Sequence, residues 1–155
     1  MTLSDCTQVS PTFQWRVLIV ENDPKQRADQ VANLRGWGYE TFVAEAQTDV
    51  EDAFQSLRAD AIQKACAYRC HVVLVDQRLR SDASPDDTSG MELAEELAPL
   101  HSIIVSGYRR PLSLEQATVS WSYVGKEDGP EALKIAIEAT IEKIRAQTSI
   151  SVSGD

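Results

Sequence analysis

Five polar residues stand directly after apolar runs of the sequence, and their chemistry fits a phosphoryl group and a divalent cation. They are Glu21 and Asn22 after RVLIV, Asp76 after VVLV, Ser106 after IIV, and Lys126 after YVG. Clustered carboxylates suit a hard cation such as Mg²⁺, which takes oxygen ligands. A hydroxyl and an ammonium group suit phosphoryl oxygens, which need donors and positive charge. We therefore predict a site where Asp76 could accept a phosphoryl group, with a metal on one side and Ser106 and Lys126 on the other.

The apolar runs are predicted to be the strands of a parallel sheet. The unbroken run 72–75 is typical of a strand buried on both faces, and ligands collect beyond the carboxyl ends of such strands. Strands that alternate with helices indicate an α/β protein with right-handed crossovers and helices on both faces of the sheet. The predicted strands are 16–20, 39–44, 72–75, 102–105 and 121–124, and the predicted helices are 24–35, 49–67, 91–97, 114–120 and 130–146.

The helices are recognised by their ends and by their apolar faces. Asp23 before Pro24 is a typical start of a helix, with the aspartate as N-cap. On the first helix the predicted inward residues are Ala28, Val31 and Leu34. On the second helix they are Val50, Ala53, Phe54, Leu57, Ala61 and Ile62.

We expect residues 15–146 to form one domain, since this length can bury a core of ordinary size. Residues 1–14 are polar and are expected to be a flexible leader. Residues 147–155 are expected to be a flexible tail, or the start of a linker in a longer protein. Residues 81–90 form a loop by composition, with acids at Asp82, Asp86 and Asp87.

The composition excludes several classes of protein. A net charge of −9 argues against nonspecific binding of nucleic acid, which requires the neutralisation of phosphates. The sequence lacks the apolar run of a membrane span and the pattern of a signal peptide, so we expect a cytoplasmic protein without a membrane partner. The three cysteines, Cys6, Cys66 and Cys70, are interpreted as reduced thiols, and they are not spaced with His71 and His101 as metal ligands are.

The order of the motifs resembles the receiver domain of two-component response regulators. The resemblance rests on VLIVEN at 17–22, VVLVDQRL at 72–79, Gly90, IIVSG at 103–107 and YVGK at 123–126. Each motif alone is weak, but all five occur in the order and at the spacing of the family. The resemblance covers about residues 15–146 and implies a doubly wound, flavodoxin-like sheet of five parallel strands in the order 2-1-3-4-5.

The resemblance implies a role for each residue on the metal side of the site. Asp76 matches the phosphoacceptor, which receives its phosphoryl group from a histidine kinase, a phosphotransfer protein or a small phosphodonor. Glu21 and Asn22 match the acidic pair, and Arg78 matches the residue whose backbone carbonyl ligates Mg²⁺. The implied protein is a signalling domain rather than an enzyme, limited to its own phosphotransfer and autodephosphorylation.

The phosphate side carries the residues of the conformational switch. Ser106 matches the hydroxyl that bonds the phosphoryl group, and Lys126 matches the lysine that pairs with a phosphoryl oxygen. Tyr123 matches the aromatic residue that swings inward on activation and alters an interaction face. That face, formed by the fourth predicted helix, the fifth strand and the last helix, could also support a homodimer. Gly107 is small and would leave an acyl phosphate accessible.

The sequence departs from the family at several places. The second acid of the pair is Asn22, which removes one negative charge and should weaken Mg²⁺ binding about tenfold or more. Asp23 or an acid of the 81–90 loop could compensate. That loop is longer than is usual, and Glu127 stands where the family has proline, so the usual cis peptide bond after Lys126 is not expected. The fourth predicted helix is short and the second is long.

Three other functions remain open. The chain could be a pseudo-receiver, an interaction module independent of phosphorylation, because of Asn22 and the altered loop. An aspartyl-phosphate hydrolase would carry a second acid two residues after its nucleophile, where this chain has Arg78. A flavodoxin-like cofactor binder would have glycines and hydroxyls after its first strand, where this chain is acidic. The output domain or downstream target is not indicated by the sequence.

Overall fold

The computed structural model describes residues 13–47, 52–79, 87–107 and 121–153. In these ranges the chain forms one five-stranded parallel sheet with helices on both faces. The strands are β1 (Arg16–Val20), β2 (Glu40–Val43), β3 (Val72–Asp76), β4 (His101–Ser106) and β5 (Trp121–Gly125). The helices are α1 (Pro24–Gly36), α2 (Ala53–Ala67), α3 (Ser89–Leu97) and α4 (Gly129–Ser153), and a 3₁₀ turn spans Lys126–Asp128.

The strand order is β2-β1-β3-β4-β5, as predicted. β3 lies in the middle of the sheet, and all five of its residues are buried. Alternate residues of the strands enter two separate cores because successive side chains point to opposite faces. One core lies under α2 and α3 and the other under α1 and α4. The central strands are therefore covered on both sides, which explains their continuous apolar runs.

Two predicted helix faces need correction. In α1, Ala28 is exposed, whereas Gln30 and Leu34 are the buried residues. In α2, Phe54, Leu57 and Ala61 are buried, but Ala53 and Ile62 are exposed. The spacing of apolar residues shows which side of a helix faces inward, but it does not show which of the residues at the border of that side are buried. Packing of the helix against the sheet then selects which of the adjacent residues points inward.

Several boundaries also differ from prediction. β2 is shorter than 39–44, and α3 begins at Ser89, so the last two residues of the predicted 81–90 loop are helical. The last helix continues to Ser153, beyond its predicted end at residue 146. The physical reason is that polar residues do not by themselves end a helix, and no glycine or proline interrupts the chain between Pro130 and Gly154.

Some predictions fall on parts of the chain outside the described residues. These are residues 1–12 of the leader, the start of the second predicted helix up to residue 51, most of the acidic loop, and the whole of the predicted helix 114–120. The described helices contain none long and apolar enough to cross a membrane.

The starts of β1 and β3 are joined by two hydrogen bonds between Arg16, the first residue of β1, and His71, the residue before β3. The backbone N–H of Arg16 donates to Nδ1 of His71 at 2.9 Å, and the N–H of His71 donates to the carbonyl of Arg16 at 2.8 Å. The rings of Phe13 and Trp15 lie against the imidazole, with centroid distances of 5.3 and 4.9 Å. Burial, followed by the positive charge of Arg16, lowers the pKa of His71.

This arrangement predicts that the protein loses stability as the neutral histidine is forced to take up a proton. Because the pKa of His71 is lower in the folded state, the unfolded chain is protonated first as the pH falls through about 6.5. The free energy of unfolding should therefore fall below that pH. In His71→Asn, whose amide oxygen can accept from Arg16, this part of the loss should disappear. Urea unfolding at neutral pH and below about pH 6 measures the difference.

A second variant separates titration from the loss of the acceptor. His71→Ala leaves the Arg16 N–H without its acceptor and should cost about 1–3 kcal/mol even at neutral pH. An equal pH-dependent loss in wild type and His71→Asn would contradict the assignment to His71.

Candidate functional site

The carboxyl ends of β1, β3, β4 and β5 bring the predicted site residues to one edge of the sheet. Glu21 follows β1, Asp76 ends β3, Ser106 ends β4 and Lys126 follows β5. Asp76 is beside Val105 in the register, and Ser106 is beside Gly125. Glu21, Asp76 and Ser106 are all buried. Residues that are far apart in the sequence thus meet because parallel strands end at the same edge.

The central contact of the site is a lysine placed between two buried carboxylates. Nζ of Lys126 lies 3.5 Å from Oε1 of Glu21 and 3.5 Å from Oδ1 of Asp76. Glu21 is 1% exposed and Asp76 3%. Burial and the charge of Asp76 raise the pKa of Glu21 well above its usual range, against the opposing effect of Lys126. Ionisation of both carboxylates at once is therefore unfavourable. A positive charge next to the two groups, such as that of Lys126, favours the doubly ionised state.

The loop after β3 is held in place by the first turn of α3. The N–H of Gly90 donates to the carbonyl of Gln77 at 2.8 Å, and the N–H of Leu79 donates to Oγ of Ser89 at 2.9 Å. A side chain at Gly90 would collide with Asp76, since its Cβ would lie 1.9 Å from the Asp76 carbonyl oxygen. Glycine at this position lets α3 approach the backbone of the phosphoacceptor candidate.

The turn that carries Lys126 is also fixed by a hydrogen bond. Oδ2 of Asp128 accepts from the backbone N–H of Gly125 at 3.1 Å. Among the described residues the Ala98–Pro99 bond is cis, and the bond between Lys126 and Glu127 is trans. The absence of the cis bond at this place was expected from Glu127.

Asn22 donates a hydrogen bond to the backbone carbonyl of Arg78, which the resemblance assigns as a Mg²⁺ ligand. Its Nδ2 donates to the carbonyl of Arg78 at 3.4 Å and to that of Leu79 at 3.4 Å. An aspartate could not make these two bonds, because an ionised carboxylate has no hydrogen to donate. The sequence did not indicate that the Asn22 amide would donate to these two carbonyls.

Two buried oxygens at this position have no hydrogen-bond partner among the described residues. They are Oε2 of Glu21 and Oδ1 of Asn22. No three His, Cys, Asp or Glu side chains of the described chain are close enough to hold a metal. A site for Mg²⁺ would therefore need the amide oxygen of Asn22 and the carbonyl of Arg78 beside the two carboxylates. That all-oxygen donor set fits Mg²⁺, which keeps several waters.

The acids that could compensate for Asn22 are occupied elsewhere or lie outside the described residues. The carboxylate of Asp23 accepts from the N–H of Lys25 at 3.1 Å and caps α1, as predicted for this N-cap. Oδ1 of Asp87 accepts from the N–H of Ser89 at 2.9 Å. Asp82 and Asp86 are outside the described ranges.

The two predicted switch residues lie on neighbouring strands. Ser106 is buried at the end of β4. Tyr123 is half-buried beside Ile104, and its ring packs on the core under α2 and α3. Gly107 is exposed, and among the described residues a Cβ there would meet the Lys126 side chain, at 3.8 Å.

Sequence reasoning did not identify the side chain that supports this loop. Ser89 is fully buried, and its hydroxyl accepts from the N–H of Leu79. Its position next to Gly90, immediately before an apolar helix, was the available signal. Ser89 could not be distinguished from its neighbours in the sequence, because residues 81–88 before it are also mostly polar.

Comparison with known proteins shows which fold this is. No protein-family model and no curated protein matches the sequence. The solved structures that match include several receiver domains. One is the receiver domain of a modulated diguanylate cyclase from Desulfovibrio desulfuricans G20, with 23% identity, a TM-score of 0.64 and coverage of 87% of this chain and 99% of that chain. Another is a CheY-like receiver domain from Methanospirillum hungatei JF-1, with 22% identity, a TM-score of 0.63 and coverage of 87% and 99%. A third is the receiver domain of a putative Luxo repressor protein from Vibrio parahaemolyticus, with 16% identity, a TM-score of 0.65 and coverage of 89% and 98%. The chain has the fold of a receiver domain. In this receiver fold, Asp76, Lys126 and Ser106 stand at the carboxyl edge of the sheet.

The contact between Gly90 and Asp76 predicts an unusual sensitivity to one methyl group. Gly90→Ala must move the backbone of Asp76 and should destabilise the protein by about 1–3 kcal/mol. Gly36→Ala is the matched control, because a Cβ at Gly36 would meet no atom of the described residues within 4 Å. Urea unfolding measures both variants. Equal stability of the two would show that α3 does not press on Asp76.

The position of the Asn22 amide predicts the effect of restoring the acid. Asn22→Asp adds a negative charge and frees the Arg78 carbonyl, so Mg²⁺ affinity should rise about tenfold or more, where tenfold corresponds to about 1.4 kcal/mol. Calorimetric titration with MgCl₂ gives the affinity. Asn33→Asp, which adds the same charge on α1, is the control and should change it far less. A similar gain in both variants would mean that net charge, and not this site, sets the affinity.

Proposed function

We propose that this chain is a response-regulator receiver domain that accepts a phosphoryl group on Asp76. The observation that carries the proposal is the position of Lys126, whose ammonium group lies 3.5 Å from Oδ1 of Asp76 and 3.5 Å from Oε1 of Glu21. The two buried carboxylates and the ammonium group of Lys126 therefore lie together at the carboxyl edge of the sheet. The oxygens of an incoming phosphoryl group would need positive charge there, and Lys126 would supply it.

The proposed reaction is a transfer between two side chains. A carboxylate oxygen of Asp76 forms a bond to phosphorus while the bond from phosphorus to the imidazole nitrogen of a phosphohistidine breaks, and the electron pair of that bond stays on the imidazole. The product is an acyl phosphate, which water later hydrolyses to return the carboxylate. Lys126, which is already next to Asp76, would pair with an oxygen of the arriving phosphoryl group.

Magnesium would be held on the other side of Asp76. Glu21, Asn22, Asp76 and the carbonyl of Arg78 are the ligands that we assign to it. When bound, Mg²⁺ would supply positive charge that offsets the charge of the phosphoryl group and of the two carboxylates. Binding requires the Asn22 amide to release the Arg78 carbonyl and to present its oxygen instead.

The switch that would follow phosphorylation uses two residues on neighbouring strands. Ser106, at the end of β4, would donate its hydroxyl hydrogen to the phosphoryl group. Tyr123 on β5, now packed against the core under α2 and α3, would move with it and alter the neighbouring surface. The donor would be a histidine kinase or a phosphotransfer protein, and the altered surface would contact an output domain, a downstream protein or a second copy.

A second candidate function is a receiver fold that acts without phosphorylation. The observation that favours it is the pair of hydrogen bonds from Nδ2 of Asn22 to the carbonyls of Arg78 and Leu79. The first of these bonds gives a hydrogen-bond partner within the protein to the Arg78 carbonyl, which would otherwise be available to Mg²⁺. In that case the surfaces of the fold would bind a partner whether or not Asp76 is modified.

The two functions differ in how the protein responds to a small phosphodonor. With acetyl phosphate and millimolar Mg²⁺, wild type should gain the mass of one phosphoryl group, as seen by intact-protein mass spectrometry. Asp76→Asn removes the nucleophile and should gain none. Asp29→Asn, an exposed aspartate of α1, is the matched control and should behave as wild type.

The outcome also decides between the candidates. No added mass in wild type, together with no change of its amide NMR shifts on addition of beryllofluoride, would reject phosphorylation and favour the phosphorylation-independent module. Added mass that persists in Asp76→Asn would show that another residue is the acceptor.

A further inference from the structure

An apolar groove lies at the edge of the sheet opposite to Asp76. It has a volume of about 480 Å³, within the range of about 300–1,000 Å³ that is usual for ligand pockets. Its apolar walls come from α2, from the end of α3 and the segment after it, and from α4; among them are Ile62, Leu97, Leu100 and Ile144. The groove is thus formed by the two helical layers together, beyond the amino ends of the strands.

One wall residue of the groove is an apolar side chain that the described fold leaves uncovered. The spacing of apolar residues in α2 predicts that Ile62 points inward, yet Ile62 is 36% exposed and lines the groove. Another wall residue is Cys66, whose thiol is free and exposed. A segment that covered these side chains would have to come from outside residues 13–47, 52–79, 87–107 and 121–153.

The chain enters the fold directly beside this groove. His71 lines the groove, and the ring of Phe13, the first described residue, lies 5.3 Å from the imidazole of His71. Residues 1–12 are therefore joined to the chain at the wall of the groove. Twelve extended residues span up to about 40 Å, which is ample to cross a cavity of this size.

We propose that the groove is the docking site of the chain's own residues 1–12. The segment offers apolar side chains at Leu3 and Val9, and Asp5 is its one charged side chain. Few charges would have to be buried or displaced when it lies on an apolar surface. A segment tethered at the wall has an effective concentration of about millimolar order, which favours it over a separate partner of similar chemistry. The proposal is independent of phosphorylation at Asp76.

The cysteines of the chain provide the test. In a Cys6→Ser background, Cys66 remains as the exposed thiol, and Cys70 is buried with a pKa raised to about 11, chiefly by burial. The rate at which iodoacetamide alkylates Cys66, followed by peptide mass spectrometry, reports whether the groove is covered. Deletion of residues 1–12 should make Cys66 react about tenfold faster, equivalent to docking favoured by about 1.4 kcal/mol.

Point variants keep the test valid if the shortened chain does not fold. The double variant Leu3→Asp/Val9→Asp in the same background should reproduce the faster alkylation of the deletion. Thr2→Asp/Ser10→Asp adds the same charges at polar positions and should keep the slow rate. Equal rates in all chains would overturn the proposal, and so would protection of Cys66 that grows with protein concentration, since a second copy would then cover the groove.

Discussion

The arrangement of this protein depends on one electrostatic constraint: two carboxylates are buried side by side, and a lysine must accompany them. A lone charge is costly to bury, and two like charges more so. Glu21 and Asp76 are nevertheless almost completely buried, and Lys126 lies within 3.5 Å of an oxygen of each. The lysine comes from the end of β5 and the acids from the ends of β1 and β3. The strand order that brings these three ends to one edge is therefore a requirement of the site.

The remainder of the fold supplies the rigidity that this contact needs. The central strand β3 is buried on both faces, so the position of Asp76 is set by two cores at once. Beyond the strand, α3 closes on the loop at Gly90, where the space beside the Asp76 carbonyl excludes even a methyl group. The buried hydroxyl of Ser89 then holds the backbone of Leu79. A side chain carried by such a framework has little freedom to leave the site.

The side of Asp76 that we propose for Mg²⁺ is arranged differently from the side that we propose for the phosphoryl group. Lys126 is already in contact with Asp76, whereas Asn22 uses its amide hydrogens on the carbonyls of Arg78 and Leu79. Asn22 thus carries no charge, and it gives the Arg78 carbonyl a hydrogen-bond partner within the protein. Under the proposed function, both properties would weaken the binding of Mg²⁺ beside Asp76.

The sequence by itself determined the class of fold and which polar residues meet at the carboxyl edge of the sheet. Apolar runs such as 72–75 mark strands whatever their surroundings, and the polar residue after each run must lie at the carboxyl edge because parallel strands share one direction. Which helix residues face inward was predicted less well, since Ala28 and Ile62 lie next to the boundary of an apolar face and packing decides such positions. Only the tertiary structure decided that Lys126 bridges two acids and that the Asn22 amide turns to Arg78. These contacts join residues fifty or more positions apart, and their geometry depends on how closely the layers of the fold pack.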